Sequence, residues 1–240
     1  MGGNLTIGSS PTADRSAGQT EDERAAHSRV RIGTSVRGRP LWAYWRGDRD
    51  ALQRLFVVGC IHGDEPSGIP VAHRLMRSPA PTEAAVVIVP DMNPDGVAAG
   101  TRTNADGVDL NRNFPTRWRP IGHPGTLHYS GPAPLSEPES GAVAALILRL
   151  KPTISIWFHQ ALDLVDESGG NVAVERRFAR LAGLRLARLP RYPGSAAGWE
   201  NTNLRGGTAF VVELPPGRLP PSDVARFADA VDDLSGRYED

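Results

Sequence analysis

The chain has 240 residues and 40% hydrophobic content, enough for one domain with a sizeable core or two small ones. Its 27 basic residues balance 27 acidic ones, so no excess charge draws it to nucleic acid or to an anionic membrane, and no apolar run reaches the about 20 residues of a membrane helix. Cys60 is the only cysteine, which excludes an intrachain disulfide and a thiolate cluster and leaves His and carboxylate to hold any metal.

The first residues, MGGNLTIGSSPTADRSAGQTEDERAA, lack an apolar signal core and are rich in Gly, Ser, Thr and charge. Residues 1–28 therefore read as a disordered or loosely attached arm, residues 29–240 as one domain, and a cytoplasmic location is expected. VRIGTSVRGRPLWAYWRGD reads as two short strands with a turn at Arg37, Gly38 and Arg39. LFVVGC suits a strand buried on both faces, with Cys60 a buried, inert thiol. Pro66 is placed to open a helix reaching Met76. Residues 84–90, AAVVIVP, read as a second buried strand.

Residues 91–129 are rich in Gly, Asn, Pro and Arg and show little periodicity; so long a stretch without elements reads as a functional loop. SEPESGAVAALILRL then predicts a helix capped by Ser136. TISIWFH is a third buried strand, residues 171–182 a helix, GLRLARL a strand, and TAFVVELPPG a strand stopped by Pro215 and Pro216. Residues 222–234 predict a terminal helix with Ser222 as its cap. Strands alternating with helices predict an α/β fold with a largely parallel sheet.

In such folds sites form beyond the carboxyl ends of the strands. Three predicted strands run into chemically capable residues: VVGCI into His62, with Glu65 three positions on, ISIWF into His159, and AFVV into Glu213. A lone His at a strand end is commonly structural, and Glu213 alone could belong to an ion pair. Together they make two His and a carboxylate, a common zinc set with a fourth position open. Glu65, one tight turn from His62, is the expected third ligand; Glu213, from another strand, is free to take a proton as general base. The long loop adds Arg102, Asn111 and Arg112. Such arginines suit capture of a carboxylate or stabilisation of an oxyanion. Asp163 and Asp166, after His159, read as solvated loop charges or as partners for a substrate amine.

The chain resembles the zinc carboxypeptidase family, the funnelin-type metallopeptidases. The resemblance is carried by HGDE at residues 62–65, NPDG at 93–96, GVDLNRNFP at 107–115, SEPE at 136–139, His159, and VVELP at 211–215. It implies an α/β/α sandwich with a mixed, mostly parallel sheet and one zinc per chain on His62, Glu65 and His159. It further implies Glu213 as base and proton shuttle, Arg102 polarising the scissile carbonyl, and Asn111 with Arg112 binding the substrate's terminal carboxylate. Tyr192 does not align with the substrate-capping Tyr of the larger digestive members, and the chain is shorter than they are. The compact length, the PGS…W pattern and the VVELP ending look most like the murein peptide amidase A group. That implies hydrolysis of the γ-D-glutamyl–diaminopimelate bond of cell-wall peptides. A general metallocarboxypeptidase, an acyl-amino-acid deacylase of the aspartoacylase or desuccinylase type, and a non-catalytic zinc-binding module are the competing readings; NPDG and NRNFP weigh against the deacylase.

Overall fold

A computed structural model describes residues 27–236. The arm expected over residues 1–28 lies outside the described residues, except that His27 and Ser28 begin strand β1 (His27–Thr34). This strand pairs antiparallel with β2 (Pro40–Gly47). The turn falls where expected: Ser35 N donates to Arg39 O, Gly38 N donates to Ser35 O, and Gly38 sits at φ 77°, a conformation glycine adopts without strain.

Six further strands complete one sheet: β3 (Gln53–Val58), β4 (Ala84–Val89), β5 (Ile154–Gln160), β6 (Leu164–Asp166), β7 (Arg185–Ala187) and β8 (Thr208–Leu214). The order is β1-β2-β4-β3-β5-β8-β6-β7. The centre, β4-β3-β5-β8, is parallel, while β2 and β6 run antiparallel to it. The central strands are apolar at consecutive positions because both faces are covered. Leu55, Val57, Ile88, Ile156, Phe158 and Phe210 pack on one side with α1 (Gly68–Leu75), α4 (Val172–Ala182) and α6 (Pro221–Leu234). Phe56, Val58, Val87, Val89 and Trp157 face the other side, against α3 (Pro138–Leu150) and α5 (Ala196–Asn203). The expected α/β/α sandwich with a mixed, mostly parallel sheet is thus the fold. No helix among the described residues is long and apolar enough to cross a membrane.

Several boundaries differ from the sequence reading, each for a local reason. The helix expected from Pro66 starts at Gly68, because Ile69 N closes a turn on Pro66 O and Ser67 N is drawn to Gln160 Oε1. Ser136 does not cap α3: its hydroxyl accepts from Asn113 Nδ2 and donates to Glu137 Oε1, so Glu137 is the cap and Pro138 the first helical residue. Pro220, rather than Ser222, precedes α6. The long loop contains a short helix, α2 (Pro94–Ala99), capped by Asn93, and a 3₁₀ turn (Leu110–Arg112) capped by Asp109. Strand β6 and helix α5 have no counterpart in the sequence reading.

Helix α5 carries a buried acid into the sheet. Glu200 accepts from Ser155 Oγ at 2.5 Å and from Trp157 Nε1 at 2.6 Å. Burial pushes its carboxyl up to about 7, the two bonds opposing that rise. The same layer holds the long loop, for Phe114 packs edge-on to Trp157 at 6.0 Å and tilted against Trp199 at 5.4 Å. Aromatic contacts of this kind add about 0.5–1.5 kcal/mol each beyond area burial.

Candidate metal centre

The carboxyl ends of β3, β5 and β8 meet at one sheet edge, as the parallel register requires: Val58 lies beside Trp157, and His159 beside Glu213. Strand β3 ends at Val58, four residues before His62, so His62 and Glu65 stand on a loop rather than at the strand terminus. That loop is fixed tightly. Glu65 N donates to His62 O, Met92 N to Cys60 O, and Asn93 Nδ2 to Ile61 O. Gly63 passes so close to α2 that a Cβ there would lie 2.0 Å from the Gly96 carbonyl carbon, which requires glycine. Cys60 is buried, and its thiol is raised first by burial and then by Asp91, as expected of an inert thiol.

The structure brings all seven sequence-selected residues to one cavity of about 320 Å³. One potential ligand atom from each of His62, Glu65 and His159 lies within 4.8 Å of the others. His62 Nδ1 and His159 Nδ1 each stand 3.0 Å from Glu65 Oε2. Donors about 2.0 Å from a tetrahedral zinc are separated by about 3.3 Å, so the set matches the size of that ion. His62 Nδ1 is buried and, although close to Glu65 Oε2, makes no hydrogen bond among the described residues, a costly arrangement that a metal bond would resolve. The donor set therefore fits zinc.

Asp109 organises the surroundings, and the sequence reading passed over it although it quoted its motif. Fully buried, it faces His62 Nε2 at 3.1 Å and accepts from Arg102 Nε at 3.0 Å and Asn111 N at 3.0 Å. His128 Nδ1 also approaches it, at 3.2 Å. The contact to Nε2 leaves Nδ1 of His62 free for a cation, the usual arrangement of a carboxylate behind a metal-binding His. Burial raises the Asp109 carboxyl, but His62 and then Arg102 outweigh it and hold it well below the usual carboxylate range. Burial likewise raises Glu65, and the closeness of His159 and His62 holds it low. Burial lowers His62, yet Asp109 and Glu65 together raise it. An acidic field of this sign favours a cation at the same point.

Glu213 is partly buried and pushed up, chiefly by burial, with Glu65 adding and His159 opposing. Its Oε2 is buried without a hydrogen-bond partner among the described residues. Arg102 donates from Nη1 to Glu65 Oε1 at 2.9 Å. The Asn111 side-chain Oδ1 accepts from Ala196 N at 2.9 Å, which turns its amide NH₂ towards His159 and the cavity. Arg112 is braced by its neighbour's carbonyl and stacks on Tyr192, 4.4 Å from the ring centre. Gly194 lets that segment close over the loop: a Cβ there would lie 2.0 Å from Arg112 O. Asp166, read as a solvated loop charge or an amine partner, is a buried strand residue lining the cavity; Asp163 is exposed.

The model of the family described as zinc carboxypeptidase matches residues 19–166. Murein peptide amidase A of Escherichia coli (strain K12) is 31% identical over 198 residues, 77% of this chain and 80% of that protein. The protein of the same name from Vibrio campbellii is 32% identical over 212 residues, 81% of this chain and 83% of that one. The crystal structure of murein-tripeptide amidase MpaA from Escherichia coli O157 superposes with a TM-score of 0.71 at 28% identity, covering 92% of this chain and 98% of that one. Carboxypeptidase A from Helicoverpa armigera shares the fold at a TM-score of 0.75 with 16% identity, over 87% of this chain and 68% of that one. The chain therefore belongs to the zinc carboxypeptidase family and is a hydrolase of peptide-type bonds.

Proposed function

We propose that the protein is a zinc-dependent amidase, with one zinc per chain, that cleaves an amide bond next to a free carboxylate. The substrate we assign is the γ-D-glutamyl–diaminopimelate bond of murein peptides, met in the cytoplasm. The observation that carries the chemistry is the pairing of a convergent His62, Glu65 and His159 set with Glu213, one strand away and holding an unpartnered buried oxygen. The murein assignment is supported by the names of the relatives and by the match to them over most of both chains.

His62, Glu65 and His159 hold the zinc, with Asp109 fixing the His62 ring. When bound, zinc supplies a Lewis acid and lowers the pKa of water from about 15.7 towards about 7. Glu213 takes a proton from the attacking water and passes it to the leaving amine; a carboxyl raised by burial is suited to holding that proton between the two steps. Arg102, pinned by Glu65 and Asp109, uses its remaining N–H groups on the carbonyl oxygen as negative charge develops there. Asn111 and Arg112 clamp the leaving group's carboxylate.

The test is incubation of the zinc-loaded protein with L-Ala-γ-D-Glu-diaminopimelate and, separately, with ordinary C-terminal peptides. Release of diaminopimelate with the peptides left intact is expected. Sequential trimming of the peptides without release would replace the murein reading with a general carboxypeptidase.

A further inference from the structure

Past Glu213 the cavity reaches a second pair of charges that hydrolysis does not use. Strand β6 pairs with β8 so that Leu164 lies opposite Glu213 and Val165 opposite Val212. Asp166, the next residue, is 4% exposed and lies two positions from the level of Glu213, about 7 Å along the strand. It accepts from Leu189 N at 2.8 Å, Ser168 Oγ at 2.7 Å and Arg191 Nη1 at 2.6 Å. Three donors leave about one of a carboxylate's four lone-pair sites open.

Arg191 is different. A guanidinium carries five N–H donors, and among the described residues Asp166 is the one partner Arg191 has. Its side chain, 32% exposed, lines the same cavity as His62, His159 and Glu213. The next residue, Tyr192, lies against Arg112. The cavity is therefore lined by two further guanidiniums with unused donors, Arg112 and Arg191, in addition to Arg102, which Glu65 and Asp109 pin in place. Guanidiniums of this kind take carboxylates in bidentate pairs.

We propose that Arg191, braced by Asp166, is a specificity residue that binds a second carboxylate, at the far end of the leaving amino acid's side chain. Arg112 and Asn111 hold the first. The substrate class is a peptide whose last residue has a side chain ending in a carboxylate, with the open Asp166 lone pair suited to an ammonium beside it. Diaminopimelate carries both groups. The inference rests on the hydrolytic reading of the site and deepens it.

Lysine is diaminopimelate without the distal carboxylate, so the two free amino acids isolate the contact without any turnover. Calorimetric titration of the zinc-loaded protein should give diaminopimelate about tenfold or more tighter than lysine. In Arg191→Gln the two should bind within about twofold of each other, and Arg191→Lys should keep part of the preference. Equal or undetectable binding of the two by the wild-type protein overturns the proposal without needing any variant. So does a preference that survives in Arg191→Gln, which would leave the pair a wall of the cavity. The tripeptide assay reports instead on the γ-glutamyl linkage. A protein that prefers diaminopimelate over lysine but leaves the tripeptide intact keeps this inference and loses the murein reading; the converse result does the opposite.

Discussion

Replacing Glu200 by Gln should flatten a pH dependence of stability that the fold carries in its interior. Glu200 is buried between α5 and β5, where, among the described residues, Ser155 and Trp157 donate to it and no cation pairs with it. Burial raises its pKa from 4.5 to about 7, so the native state keeps the proton to higher pH than the unfolded chain does. Stability rises with pH only where the unfolded state binds more protons; here the native state binds more. The contribution therefore falls as pH rises from about 4.5 to about 7, with no penalty below that window and the full penalty above it. At about 1.36 kcal/mol per pH unit the rise corresponds to about 3 kcal/mol. Gln keeps the shape and does not titrate. Urea unfolding of wild type and variant in metal-free buffer from pH 4.5 to 8 isolates Glu200, because every other titrating group is common to both. The variant's stability relative to wild type should grow by about 3 kcal/mol across the range. For a slope of about 1–3 kcal/mol per molar urea, that is a midpoint difference growing by about 1 M or more. A difference that does not change with pH, or that shrinks, would show that the carboxyl is ionised in the fold and that water or a cation reaches it.

The catalytic assignments give three further outcomes. Glu213→Gln should retain zinc and lose about 10² to 10⁴ in kcat, the usual range for a general acid–base group, and near-normal turnover would sink its assignment as base. His62→Ala and His159→Ala should each lower zinc content after dialysis, measured by elemental analysis; full retention in both would place the ligands elsewhere. Asp109→Asn should weaken zinc binding by about 10- to 100-fold in competition with a chromophoric chelator, since the His62 ring loses the charge behind it. An unchanged affinity would reduce Asp109 to a loop anchor for Arg102 and His128.

Much of the sheet was legible because its signals are local. Consecutive apolar residues in LFVV and AAVVIV, and in ISIWF apart from Ser155, mean burial on both faces whatever their neighbours. The convergence of His62, His159 and Glu213 followed from chain direction alone, since parallel strands bring their carboxyl ends to one edge. Helix α5 was not legible for a physical reason. AAGWENTN has no apolar stripe, its cap Ser195 makes no side-chain capping bond, and its first N–H is satisfied by Asn111, 85 positions away. Strand β6 is three residues long and exists because β8 and β7 flank it. Asp109 was hidden in a motif read for its arginine, and burial is what separates it from the other acids of the chain.

The long loop fails to show a period because side-chain amides, rather than an apolar face, give it order. Asn93 caps α2 with its oxygen while its nitrogen reaches Ile61 O, next to His62, and Arg102 O. Asn104 accepts from Val108 N and donates to Glu137 and Glu139, tying the loop to the start of α3. Asn113 donates to Ser130 O, Ala133 O and Ser136 Oγ and accepts from Ser140. An amide offers two donors and an acceptor at fixed angles, so a few of them can satisfy irregular backbone that neither a helix nor a sheet would. Buried polar networks of this kind are costly when incomplete, which makes the loop stiff rather than adaptable. Stiffness serves the site directly. Arg102 and the Asn111–Arg112 pair lie on segments nailed to the fold at Asn93 and Asn113, so they keep their distance from His62 and His159 before any substrate arrives. If the Asn111–Arg112 pair clamps a carboxylate as proposed, setting it in advance uses less of the binding energy on ordering itself.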